Sequence, residues 1–189
     1  MAALALAACG RPSMPDAFHA TDISGVDWGR DFDLTDHAGR RRTLADFRGK
    51  AVMVFFGFTN CPDACPTALV EMAQVVDRLG SDGARVQLLF VTVDPARDTA
   101  EVLASYVPAF HPSFIGLRGS AEDTARVAKD FKVHFQLNQG VPGADAKRYT
   151  VDHSTGIFVY DPGGKLRLYV GSNGRSVEHM TSDVRRLLA

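Results

Sequence analysis

An excess of basic charge is missing from this chain: 21 Lys and Arg stand against 22 Asp and Glu, for a formal net charge of -1. Recognition of nucleic acid needs clustered positive charge. Apart from a short Arg40-Arg41-Arg42 run the basic residues are scattered, so no nucleic-acid partner is expected and the run reads as a solvated hairpin arm. No stretch approaches the roughly 18 consecutive apolar residues that a spanning helix needs. Internal repeats are absent, and low complexity is confined to the Ala-rich start. Cysteine is scarce and odd in number, at positions 9, 61 and 65, so an exported form would leave one unpaired. What is present, 189 residues with 46% hydrophobic and 23% charged side chains, suits one globular domain with its own core.

The odd cysteine finds an explanation at the N-terminus. Met1 to Ala8 is almost wholly Ala and Leu and ends in Leu6-Ala7-Ala8-Cys9-Gly10, which resembles a bacterial lipobox. That resemblance implies cleavage before Cys9, lipidation of Cys9 and a protein held at a membrane surface by its lipid without spanning it. The implied location is a bacterial cell envelope, facing the periplasm or the exterior. Residues 1–8 would be the remnant of the signal and residues 9–25, polar and carrying Pro12 and Pro15, a lipidated tether. A basic segment and a longer apolar run, normal in such signals, are not visible, as in a truncated start. The folded domain is expected over residues 26–189.

Within it, Asp36-His37-Ala38-Gly39 between Leu34 and Arg42 has the composition of a hairpin turn. Ala51 to Phe58 is a continuous apolar run of strand length, the signature of a central strand buried on both faces. Pro66 to Leu79 carries a helical apolar stripe at Leu69, Met72, Ala73, Val76 and Leu79. Strands follow at Val86–Val93 and Phe114–Leu117, with helices at Thr99–Val107 and Ala121–Lys129. Gly156–Tyr160 and Leu166–Val170 enclose Asp161-Pro162-Gly163-Gly164, a second hairpin, before a last helix over Val177–Leu188. A βαβ half followed by a ββα half predicts an α/β, thioredoxin-like fold, with a central mixed sheet flanked by helices and an N-terminal hairpin.

The chemistry concentrates in Gly57-Phe58-Thr59-Asn60-Cys61-Pro62-Asp63-Ala64-Cys65-Pro66-Thr67, between a buried strand and a helix start. Thiols four residues apart on a helical turn have their β-carbons within about 5–6 Å. That separation suits a shared metal ion or, after slight adjustment, a disulfide. The helix N-terminus is expected to favour the thiolate, which both binds metal and attacks disulfides.

Cys61-Pro62-Asp63-Ala64-Cys65-Pro66 after Phe56-Gly57-Phe58-Thr59 resembles the metal-binding loop of the Sco/SenC copper proteins. Val93-Asp94-Pro95-Ala96-Arg97-Asp98-Thr99 is similar to a second segment of that family and Tyr149-Thr150-Val151-Asp152-His153-Ser154 to a third. The resemblance covers roughly residues 33–188. It implies a thioredoxin-like fold, copper as Cu(I) or Cu(II), and Cys61, Cys65 and His153 as its ligands. Soft thiolates select Cu(I) and imidazole suits copper, whereas zinc would normally take a fourth ligand. The implied role is a copper chaperone delivering to the binuclear copper site of respiratory cytochrome c oxidase. Its partners would be subunit II of that oxidase or another copper acceptor, a thioredoxin-like reductant, and the membrane through the lipid.

Other readings of the same residues are a thiol-disulfide reductase acting on the acceptor's cysteines, or a copper or redox sensor. A general oxidoreductase is disfavoured by the three-residue spacing of the cysteines and by His153-Ser154 standing where a proline is expected. Six histidines are present, and His153 is distinguished by its position in the loop before the Gly156 strand. Asp152 beside it is either a partner that orients the imidazole or simply exposed. Asp98 and Glu101 resemble a capping box for the Thr99 helix. Asp94 is placed at a strand end near the copper loop, and Tyr149 and Phe58 are read as packing residues.

Overall fold

A computed structural model of the chain describes residues 17–139, 149–172 and 175–189. Strand β4 (Ala51–Gly57) has all seven residues buried, as its unbroken apolar run requires. It leads into helix α1 (Ala64–Arg78), which returns the chain to β5 (Val86–Thr92), parallel to β4 in the register Phe55 with Phe90 and Gly57 with Thr92. Helix α2 (Ala100–Tyr106) carries the chain to β6 (Ile115–Arg118), again parallel, and α3 (Ala121–Asp130) follows. The second half adds β9 (Ile157–Tyr160), antiparallel to β4, then β10 (Leu166–Val170) and α4 (Val177–Leu188), which packs along α1. This is the expected mixed sheet with helices on its faces.

An early hairpin of β2 (Leu34–Asp36) and β3 (Arg41–Arg42) extends the sheet beyond β6. Asp36, fully buried, organises its turn: it accepts from the backbone of Ala38 and Arg40 and from the side chains of Arg40 and Arg42. On the opposite edge β1 (Thr21–Asp22) pairs with β10, giving the order β1-β10-β9-β4-β5-β6-β2-β3 among the described residues.

Pleating splits the core into two layers. Phe55, Gly57 and the cross-strand Phe90 face one side, where Tyr106 from the end of α2 lies 6.0 Å from Phe90 between ring centroids. Phe56 and Phe158 face the other and meet Phe131 just beyond α3, at 5.1 and 5.4 Å. Burying a phenylalanine of this kind contributes about 2–3 kcal/mol before entropy is counted. Among the described residues no helix is long and apolar enough to cross a membrane.

Two expectations are corrected here. Residues 19–23, assigned to a tether, are held by the domain. The backbone N–H groups of His19 and Ala20 donate to the buried carboxylate of Asp183 on α4, at 3.0 and 2.8 Å, and Ile23 bonds to Arg167. The stretch before β9 contains a second, separate hairpin of β7 (Phe135–Gln139) and β8 (Tyr149–His153). His153 thus ends a strand, paired with Phe135, and is not part of a loop. Cys9 lies outside the described residues.

Candidate metal centre

The β4 to α1 connection turns sharply over the end of β5. Gly57 accepts from the Val93 N–H at 2.8 Å, and Cys61 donates its N–H to Phe58 at 3.3 Å, folding the loop back on itself. Cys65 is the second residue of α1 and fully buried, while Cys61, just before the helix, is half-buried. Both are free thiols, and the Cys65 N–H donates to the Cys61 sulfur at 3.4 Å. Gly57 is required by this closeness: a β-carbon there would sit 2.9 Å from the Cys65 sulfur and 2.9 Å from the Phe90 ring.

His153 arrives from β8. Its Nε2 lies 3.4 Å from the Cys65 sulfur, and its Nδ1 lies 2.9 Å from the carbonyl oxygen of Ser154. A carbonyl only accepts, so the ring proton sits on Nδ1 and the Nε2 lone pair faces the thiols. Phe55 and Phe58 hold the ring edge-on, at 6.3 and 5.7 Å between centroids. Cys61, Cys65 and His153 bring one donor atom each to within 4.8 Å of one another, the one such group of three or more among the described residues. Their donor set, two sulfurs and one imidazole nitrogen, fits a soft or borderline metal ion.

Burial pushes the Cys65 thiol well above the ordinary thiol range, although the Phe58 backbone N–H aimed at its sulfur opposes the shift. Burial likewise holds His153 below the usual imidazole range. The metal-free site is therefore a neutral thiol beside a neutral imidazole, and an incoming cation displaces the thiol proton. This corrects the thiolate expected from the helix N-terminus alone: at Cys65 desolvation outweighs the dipole.

Beneath the loop lies a carboxylate that the sequence pattern assigned elsewhere. Asp98, fully buried, accepts from the Thr59 hydroxyl at 2.6 Å, the Thr59 N–H at 3.1 Å and the Thr92 hydroxyl at 2.5 Å. Desolvation raises its pKa, and the three donors pull it back. It does not cap α2; Thr99 does, accepting from the Val102 N–H. Asp98 instead fastens the residue two positions before Cys61 to the end of β5.

Asp94, also buried, braces the hairpin that carries His153. It accepts from the Tyr149 hydroxyl at 2.6 Å and from Arg97 Nε at 2.5 Å. Arg97 lies over the Tyr149 ring at 3.6 Å, donates to the Tyr149 carbonyl at 2.9 Å, and stands 5.8 Å from the Phe58 ring. Tyr149 is thus a bonded anchor as well as a packing residue. Asp152 is exposed and accepts from Asn138, so the imidazole is oriented by Ser154.

The fold and this cluster define a thioredoxin-like domain that presents two thiols and an imidazole where its central strand meets a helix. The chain belongs to the SCO1/SenC family, whose model matches residues 20–189. It is 45% identical over 161 residues to the protein SCO2 homolog, mitochondrial, of Bos taurus, covering 84% of this chain and 59% of that one. The chain thus spans about six tenths of the length of that curated relative. Among solved structures it is similar to apo Sco1 of Thermus thermophilus, with TM-score 0.78, 37% identity and 91% and 98% of the two chains covered. Arabidopsis thaliana ScoI, solved with copper bound, has TM-score 0.77 and 32% identity, with 86% and 98% covered.

The relatives overturn the location read from the N-terminal motif. The Bos taurus protein is mitochondrial, and this corrects the expectation of a lipid-anchored protein of a bacterial envelope.

Proposed function

We propose that this protein holds one copper ion through Cys61, Cys65 and His153 and passes it, by ligand exchange, to the binuclear copper site of cytochrome c oxidase during that enzyme's assembly. The observation that carries the proposal is the convergence of two sulfurs and the free Nε2 of His153 within 4.8 Å. Two thiolates make a stable Cu(I) site, and the imidazole adds the ligand that Cu(II) favours. The solved Arabidopsis thaliana relative with copper bound supports the choice of metal. A half-buried Cys61 leaves one ligand reachable by an acceptor's sulfur, while the fully buried Cys65 holds the ion until exchange occurs.

A second reading rests on the closeness of the two sulfurs, which a modest movement would join as a disulfide. In that reading the two thiols reduce a disulfide of the acceptor, surrendering two electrons and two protons and ending as the Cys61–Cys65 disulfide. The buried thiol of Cys65, held protonated, disfavours it as the main role. One experiment separates the two. Copper-loaded protein is mixed with a reduced soluble domain of oxidase subunit II, and metal-free reduced protein with the oxidised domain. Copper and free thiols are then counted on each. Metal transfer with little thiol exchange is the expected result; thiol exchange without metal transfer overturns the proposal.

A further inference from the structure

His19 and His179 stack with ring centroids 4.0 Å apart and an interplanar angle of 4°. That is closer than the separation of about 4.5–7 Å usual for aromatic pairs. Both residues are exposed, so the contact is not the packing of a core. Each is held by its backbone: the His19 N–H donates to the buried Asp183 carboxylate at 3.0 Å, and the His179 N–H to the Ser176 hydroxyl that caps α4. Beside the rings lies a cavity of about 190 Å³, which the two imidazoles line together with Tyr169, Met180 and Asp183. Strand register places the pair at the end of the sheet that carries the cysteine loop, because Thr21 pairs with Tyr169, Val170 with Ile157, and Ile157 with Phe55. β1 stands three strands from β4, at about 4.8 Å per strand, so the pair shares that end with Cys61 and Cys65 but is a separate group.

We infer that His19 and His179 form a second metal site, in which one nitrogen of each imidazole binds a divalent transition-metal ion, Cu(II) most tightly. Two nitrogens held at about 2.0–2.1 Å from one ion stand about 3–4 Å apart, which matches the 4.0 Å spacing of these rings. The stacked planes are parallel, so the nitrogens reach a common ion when the rings splay toward the adjoining cavity about χ2, a soft torsion in histidine. Imidazole suits Cu(II), Ni(II) and Zn(II), and of these Cu(II) binds a given nitrogen set most strongly. Asp183 is not a ligand, because its two oxygens accept the N–H groups of His19 and Ala20; water completes the coordination at this exposed position. His19 precedes β1 and His179 lies in the first turn of α4, so a bound ion would clip the entering chain to the last helix.

The site needs neither thiol, and its test keeps it apart from the copper reading above. The full chain and its His19→Gln and His179→Gln variants are dialysed against Cu(II) alone; the copper held per chain is counted and its paramagnetic resonance recorded. Wild type should hold one copper more than either variant. That extra copper should lack a thiolate-to-copper absorption band and show splitting from two imidazole nitrogens. Both rings are exposed, so the metal-free variants should melt close to wild type, which separates loss of a ligand from loss of the fold. Two coppers in wild type and one in each variant support both sites. One in wild type and none in the variants supports the histidine pair and overturns the thiol site. Equal copper in all three proteins, whatever its amount, overturns the second site.

Discussion

Asp98 lies 39 residues from Thr59 in the chain, yet its carboxylate accepts the Thr59 hydroxyl at 2.6 Å and so ties the cysteine loop to the end of β5. Asp98→Ala would leave two hydroxyls and one N–H without their acceptor. Unfolding in urea should show a loss of about 2–4 kcal/mol. Copper should also be lost more readily to a competing chelator, because Cys61 sits two residues past the released anchor. Unchanged copper retention in a destabilised variant would show that Asp98 supports the fold without ordering the loop.

Gly57→Ala tests the other side of the loop. The added methyl would meet the Cys65 sulfur, the Phe90 ring and the Phe55 ring at 2.9–3.0 Å, in a strand with no exposed residue to yield. Overpacking of this kind costs about 1–3 kcal/mol. Because the displaced neighbour is a proposed ligand, copper content should fall together with the urea midpoint. Full stability and full occupancy would mean that the sulfur has more room than this packing allows.

Much of this architecture was legible in the sequence, and where it was not the reason is physical. β4 and β5 are continuous apolar runs and α1 has an apolar stripe, so burial and periodicity agreed. β7 and β8 escaped because Phe135-Gln136-Leu137-Asn138-Gln139 is short and mostly polar, and a two-stranded hairpin takes its stability from pairing that a linear pattern does not display. Cys61 and Cys65 were visible as a local spacing, whereas His153 needed the family resemblance. Asp98 resembled a helix cap in sequence because Glu101 follows at the right interval; its real partners are remote, and no local signal reports them.

The Asp94–Tyr149 bond leads to a more selective prediction. Tyr149→Phe deletes the 2.6 Å bond at the start of β8 while leaving the ring over which Arg97 lies, and it touches neither thiol. The strand whose far end carries His153 should loosen, so Cu(II) binding should weaken several-fold while Cu(I) binding, resting on the two sulfurs, changes little. Parallel competition titrations with the two oxidation states provide the check. Equal losses for both would indicate general damage to the domain.

Asp36 supplies a prediction about pH that is independent of the metal. Its turn lies at the β2–β3 edge, three strands across the sheet from β4, and its carboxylate is fully buried. Burial alone would raise the pKa, but the backbone N–H of Arg40, the Arg42 side chain, the backbone N–H of Ala38 and the Arg40 side chain outweigh it and hold it at about 2. The unfolded value is about 3.9, so the folded pKa is depressed. The stabilisation is therefore present above the unfolded value and is lost as pH falls through the folded one. Linkage puts it at about 2–3 kcal/mol near neutrality, with about 1 kcal/mol already gone at pH 3. Asp36→Asn keeps the shape but cannot carry the charge, and its amide would face two guanidinium groups. Urea unfolding of wild type and variant should accordingly differ most at pH 7, with a gap about 1 kcal/mol smaller at pH 3. Subtracting the variant cancels the titration of all other carboxylates, provided that they do not couple to Asp36. A gap of constant size across that range would mean that the turn is held by its hydrogen bonds irrespective of charge. Copper binding at neutral pH should be the same in both proteins.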